Sequence, residues 1–322
     1  MARQSVLWGI GRMLFSAVLM FSSCGGTGSG GLPPGWGGGG GGSGNPPTLD
    51  GCQVFPADNW WNTDISGYPV HPDSDAIIAN IGANTNIHPD FGRIYGIPYV
   101  VVGSGQPLVP IRFTHYPAES DPGPYPVPAD APVEGGSDRH VIVVDTDNHM
   151  LYEMYYAFYE GPGWRAGCGA VFELTTNNLR PAGWTSADAA GLPIFPGLVR
   201  YDEAVEAGEI NHALRFTVEK TRKGYVTPAR HYASTVVSSV RPAMGMRVRL
   251  KANFDISDYH SECQVILRAL KRYGMFVADH GSNWYISGAP DTRWNDDRLR
   301  QLRQVRGSSF EVIYTGEVID GE

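Results

Sequence analysis

From about residue 97 onward the chain is built of short runs rich in Val, Ile, Tyr and Phe, each closed by Gly, Pro, Asn or Asp. These runs are 97–102, 108–113, 139–145, 150–158, 169–174, 210–219, 246–251, 275–278, 284–287 and 310–314. Such runs are too short for helices, and their β-branched and aromatic side chains suit a pleated, half-buried surface. Asp145-Thr-Asp-Asn148 joins two of them as a hairpin turn, because Asp and Asn tolerate turn backbone angles. Helical periodicity is confined to 75–81, 202–207, 261–273 and 296–305. Strands without regularly alternating helices exclude a doubly wound sheet. The expected fold is mainly β, a β-sandwich or jelly-roll-like core with a few peripheral helices.

The first residues predict a different fate. Arg3 and Arg12 precede an apolar run over 13–21, too short to span a bilayer. Phe21-Ser22-Ser23-Cys24 has the form of a lipoprotein cleavage box, with Phe where Leu is usual. Residues 1–23 read as an export signal, and Cys24 as the lipidated first residue of the mature chain. A Gly-rich tether over 24–47 includes six consecutive glycines, a density that resists ordering without a core. A single β-rich domain is expected over 48–322. The predicted address is outside the cell: a cell-surface or periplasmic lipoprotein, or a secreted protein if Cys24 stays unmodified.

The formal charge is −8, which disfavours nucleic acid as a partner because phosphate binding needs concentrated positive surface. Membrane contact is expected only through the N-terminal lipid. Three cysteines follow the leader, Cys52, Cys168 and Cys263. In an oxidising compartment two would pair, Cys52 with Cys168 or Cys263 being the arrangement that pins the domain's start to its body.

Polar residues at apolar phase carry the functional reading. In Ile210-Asn-His-Ala-Leu-Arg-Phe-Thr-Val218, strand alternation puts His212 in line with Ile210, Leu214 and Phe216. His140 is in phase with Ile142 and Val144, and Glu173 stands between Phe172 and Leu174. A buried charge is costly unless paired, so these groups need partners or a wet cleft. Asp188 and Asp279 lie in polar loop motifs, near Trp184 and Trp284, and Arg230-His231 forms a third such motif. A hydrogen-bonded core histidine or a turn-forming aspartate accounts for each residue singly. Their number within one domain is what favours a site. The proline-rich stretch from His115 to Asp138 cannot be a central strand and reads either as one wall of a cleft or as a surface crossover.

Three blocks, residues 181–193, 208–214 and 284–290, resemble those of an uncharacterised family of exported bacterial proteins. The resemblance implies export and carries neither a chemistry nor a ligand. Gly-x-Ser-x-Gly, His-Glu-x-x-His, Walker and dinucleotide motifs are missing from the sequence. The expected function is a glycan-active enzyme, a glycoside hydrolase or polysaccharide lyase acting on polysaccharide or cell-wall glycan. Glu173, Asp188 and Asp279 would supply acid and base, with His140, His212 and His231 positioning them. Trp184, Arg200, Arg230, Trp284 and Tyr285 would bind substrate by stacking and hydrogen bonding. The alternative is a non-catalytic carbohydrate or cell-wall binding module. No cofactor is expected, and no metal, since the histidines lack tight ligand spacing.

Overall fold

The computed structural model describes residues 46–321. The expected export signal, Cys24 and the expected tether up to residue 45 lie outside the described residues. The body is mainly β, with several sheets, few helices and a sandwich-like arrangement. No described helix is long and apolar enough to cross a membrane.

Four strands lie side by side in the order Cys168–Glu173, Met150–Tyr155, Val141–Asp145 and Tyr99–Val102. The hairpin between the second and third turns where the sequence predicts. There the Asp145 carboxylate accepts from the backbone N–H of Asn148 at 3.0 Å and from its side-chain amide at 2.8 Å. Every residue of Val141–Asp145 is buried, and alternation divides them between two cores. Ile142 and Val144 belong to the main core, which also takes in the second sheet. Val141 and Val143 belong to a smaller one with Tyr125, Val127, Ala131 and Trp164. An unbroken apolar run is what a strand covered on both faces requires. The proline-rich stretch supplies Tyr125, Val127 and Ala131 to this smaller core, so it covers the outer face of the four-stranded sheet.

The second sheet has the order Phe310–Ile313, Arg247–Leu250, Met275–His280, Leu214–Val218, Tyr285–Ser287 and His88–Asp90. The Ser261–Arg272 helix packs beside it, burying Val265, Ile266, Leu267 and Leu270. On one face of this sheet Arg215, Phe276 and Arg247 are cross-strand neighbours. Arg247 is fully buried, with its guanidinium donating only to backbone carbonyls: Tyr273 at 2.6 Å, Trp60 at 2.8 Å and Thr63 at 3.0 Å. It ties the segment entering the domain to the sheet.

The parallel pairing of Leu214–Val218 with Met275–His280 contains a bulge. Phe216 opposes Val277, but Thr217 opposes Asp279, so Ala278 is an extra residue. One inserted residue reverses the side-chain phase. Asp279 therefore falls in register with Thr217, on the face that carries Arg215.

The expected cysteine pairing is not made. All three thiols are free and buried in separate neighbourhoods. Cys52 lies 3.2 Å from His149, Cys168 donates to the Ser186 carbonyl, and Cys263 to that of Arg298.

Candidate functional site

Between the sheets runs the loop Trp184-Thr-Ser-Ala-Asp-Ala-Ala-Gly191, most of it buried yet without regular structure. Buried carbonyls must be satisfied, and here side chains do much of it. The carbonyl of Thr185 accepts from Arg180 Nε at 3.0 Å, Ser186 from the Cys168 thiol at 2.9 Å, and Ala187 from His140 Nε2 at 3.1 Å. Asp188 O accepts from the Ser186 hydroxyl at 2.9 Å and Ala189 O from His231 Nδ1 at 2.8 Å. Two of the sequence-predicted histidines thus serve as donors to this loop.

The loop's fixed shape positions Asp188, whose side chain has no exposure. Its two oxygens accept from Arg215 Nε at 3.0 Å and Nη2 at 2.7 Å, while Arg215 Nη1 donates to Ser287 at 2.5 Å. His140 is also buried. Its Nδ1 faces a Glu134 oxygen at 2.5 Å, so both ring nitrogens meet acceptors and the ring is an imidazolium. Burial alone would pull its pKa down, but the hydrogen bond and charge of Glu134 prevail and raise it. Glu134 is correspondingly held below the ordinary range, burial being outweighed by its bonds to His140. No ring nitrogen of His140 is left to abstract a proton.

Two further carboxyls enter the same region. Glu153 is fully buried and accepts from the backbone N–H groups of Ile194 and Phe195 at 2.9 and 2.8 Å, yet burial still raises its pKa to about 7. Asp279, brought round by the bulge, is pushed up to about 8, first by burial and then by the negative charge of Asp188. Arg215 and His140 oppose that shift without cancelling it. Arg215 is already committed to Asp188 and His140 to Glu134, so Asp279 is left as the surplus acid and keeps its proton near neutrality.

Asp279 opens onto a polar cavity of about 210 Å³. Tyr116 and Asp138, at the two ends of the proline-rich stretch, line it together with Tyr155, Cys168, His280 and the Thr185–Ala189 loop. None of the lining residues is an arginine or lysine. Tyr116, Tyr155 and Tyr156 surround His115, which stacks on Tyr156, tilts against Tyr155 and meets Tyr116 edge-on, with ring centroids 5.2 to 6.5 Å apart. Tyr116 is 44% exposed, so part of this aromatic wall is open to a ligand. His280 is kept toward its neutral form by burial, with Nε2 at 2.8 Å from the Thr221 hydroxyl. Burial pushes the Cys168 thiol up to about 12, so it is no thiolate nucleophile.

The structure therefore gathers Asp188, Asp279, His140 and His231 around one loop. Trp184 begins this loop and Arg230 borders it, donating its backbone N–H to Ala190 O at 2.9 Å; the other candidates are elsewhere. Glu173 is exposed and meets Thr175 at 3.1 Å; it ends its strand pointing to solvent, so the expectation of a buried charge fails. His212 is buried but precedes the strand, which begins at Leu214. Its nitrogens face Ala213 O and Glu203, and Glu203 also binds Arg200. Trp284 is a core residue stacked between Phe216 and Phe310. Tyr285 stacks on His88 at 4.1 Å in a separate cavity. Trp184 is half-buried with the Arg180 guanidinium 5.7 Å from its ring, and Arg230 bonds the Arg180 carbonyl. Among the described residues, no group of three or more His, Cys, Asp or Glu is placed to hold a metal ion.

Asp138, Tyr116, Tyr155 and His280 were not singled out from sequence. The position of Asp138 and Tyr116 at the borders of the proline-rich stretch is the signal that marks them. Comparison of the chain with family models, curated proteins and solved structures found no match.

Proposed function

We propose that this protein is an exported glycan-active hydrolase, anchored to the cell envelope through lipid on Cys24, in which Asp279 is the general acid. One observation carries the reading: a carboxyl kept protonated near neutral pH lines a polar, aromatic-walled cavity that holds a second carboxylate, Asp138. Glycoside cleavage needs a protonated carboxyl to donate to the leaving oxygen and an ionised one to activate water or attack the sugar. Asp279 takes the first role and Asp138 the second. Tyr116 and Tyr155 offer ring faces for the C–H surface of a sugar. Asp188, Arg215, His140 and Glu134 act through Asp279, by holding the loop and setting the local charge. Elimination from a uronic acid is less well supported, because no cation lines the cavity to neutralise the substrate's carboxylate.

The test is release of reducing ends from a panel of neutral polysaccharides and peptidoglycan by the full chain, compared with Asp279→Asn and Asp138→Asn. Cleavage by the wild type, lost by both variants and without ultraviolet-absorbing products, supports the reading. If no polymer is cleaved while wild type and both variants bind glycan equally, the protein is a binding module instead.

A further inference from the structure

Tyr99–Val102 is an end strand of the four-stranded sheet, with Val141–Asp145 on one side and no strand on the other. The direction of its backbone groups follows from one bond. Thr146 donates its N–H to the Val102 carbonyl at 3.1 Å, so the N–H and C=O of Val102 are turned toward Val141–Asp145. By strand alternation those of Val100 point the same way, and those of Tyr99 and Val101 point to the open side. Among the described residues no hydrogen bond takes up these two N–H and two C=O groups. Exposed edges are commonly blunted by Lys, Pro or a bulge, and 99–102 has none of these.

Space lies along this edge. Tyr99, Val100 and Val101 are all part-exposed, and with Pro98 they line a cavity of about 480 Å³. Leu49, Asp50 and the Ala289–Asp291 segment stand among its other walls. The volume is within the range of ligand sites, roughly 300–1,000 Å³.

The charges select the occupant. Both cations of the cavity are taken up: Arg200 by Asp202 at 3.3 Å and Glu203 at 2.8 Å, Arg293 by Asp291 at 2.6 Å and Glu206 at 2.5 Å. Asp50 is exposed at the tip of the hairpin of Thr48–Leu49 and Cys52–Gln53, where Asp50 and Gly51 have the positive φ values of a tight Asp-Gly turn. Among the described residues it is in no ion pair. Burial raises the Tyr99 hydroxyl to about 12 against the pull of Arg200, and the charges of Asp202, Glu203 and Asp50 add to the rise, so these carboxylates gather at one end of the open edge.

Unpaired strand groups beside surplus carboxylates fit an extended peptide with basic side chains: its main chain pairs with the edge, and its charges meet the rim. A second copy of this chain, pairing edge to edge, would bring the same acidic rim against itself. The chain's own N-terminal stretch brings no charge, since no Lys or Arg occurs between Arg12 and Arg93. We infer that the Tyr99–Val102 edge is a docking site for an extended Lys- or Arg-bearing segment of another protein, which joins the sheet as an added strand. This stands apart from the hydrolase reading, because it invokes none of the groups around Asp279.

The experiment titrates the full ¹⁵N-labelled chain with the hexapeptide acetyl-Val-Lys-Val-Lys-Val-Lys-amide, with its Val-Glu counterpart, and with the Lys peptide N-methylated at every residue. Saturable binding of the Lys peptide is expected, slowing hydrogen exchange of the Tyr99 and Val101 amides about ten-fold or more. Val100 and Val102, already bonded within the sheet, should be unchanged. The Glu and N-methylated peptides should leave all four amides as they are. Asp50→Asn removes the charge but suits the same turn, and should weaken the Lys peptide about three-fold. The rest of its amide spectrum reports that the fold is intact. No protection of Tyr99 and Val101 by the Lys peptide overturns the inference. So does equal binding of either control peptide, or unchanged affinity in Asp50→Asn. Protection of these two amides without peptide, growing with protein concentration, would give the edge to a second copy and overturns it equally.

Discussion

Arg247 and Arg215 flank Phe276 on the same sheet face, both buried, and their surroundings differ in kind. Arg247 meets only fixed carbonyls, without a paired carboxylate, and burial lowers its pKa to about 9. Arg215 meets a carboxylate in two-point geometry, with Glu134 and Asp279 also pulling its pKa up against burial. The first region is a closed seam in which each donor has one rigid acceptor. The second has more acids than cations, and the excess appears as a proton retained on Asp279. A polar group whose partners are all backbone serves the fold, whereas a surplus of titratable groups beside a cavity is a means of holding a proton for chemistry.

If that contrast is right, replacement on the Arg247 side should be the most damaging to stability. Arg247→Leu leaves the carbonyls of Trp60, Thr63 and Tyr273 unsatisfied and should cost roughly 4 kcal/mol, lowering Tm by on the order of 10 °C. Asp188→Asn strands the Arg215 charge and should cost about 3 kcal/mol in chemical denaturation. It also frees Arg215 toward Asp279, so the alkaline limit of activity should move to lower pH. A variant that keeps the wild-type limit would break the proposed link between the two acids. Glu153→Gln retains one accepting oxygen for Ile194 and Phe195 and should cost about 1–2 kcal/mol.

Asp279→Asn should have the smallest effect on stability, within about 1 kcal/mol at pH 6, while lowering the rate by about 10²–10⁴. Its signature is in the pH dependence. Asp279 and Glu153 have folded pKa values of about 8 and about 7 against ordinary values of 3.8 and 4.5, so the native state holds protons that the unfolded chain releases. Stability from these groups is fully present below about pH 4 and is lost as the pH rises through about 7 to 8. The Asp279→Asn variant should show a shallower decline across that window. A wild-type profile rising from pH 5 to 8, with no difference in the variant, would contradict the assignment.

Much of the architecture is legible from local pattern. The runs read as strands all contain strands, because each couples β-branched residues to a turn-former at its border. Most are trimmed at their ends, but the run at 275–278 continues through Asp279 to His280, so Asp279 is a strand residue and not the loop residue expected. The Asp145–Asn148 turn is equally local. His212 shows where such reading fails. It shares the strand's alternation, but pairing begins only where Leu214 N–H reaches Gly274 O, and the imidazole is held by Glu203 instead. Trp284 looks available beside a polar loop, yet its ring completes a three-ring stack in the core. The site itself depends on pairings across the sheets. Asp188 and Arg215 are 27 residues apart, and nothing local matches one to the other. The bulge at Ala278 decides which face Asp279 occupies, and a chain read with strict alternation puts it on the opposite face.

The titration of the Asp279 side chain tests the central claim most directly. It is read from the carboxyl ¹³C resonance of the labelled protein and assigned by its disappearance in Asp279→Asn. A midpoint near 8 is expected, moving down in Asp188→Asn. A midpoint near 4 would mean that the carboxyl is ionised at neutral pH, and the protein would have no acid at this cavity.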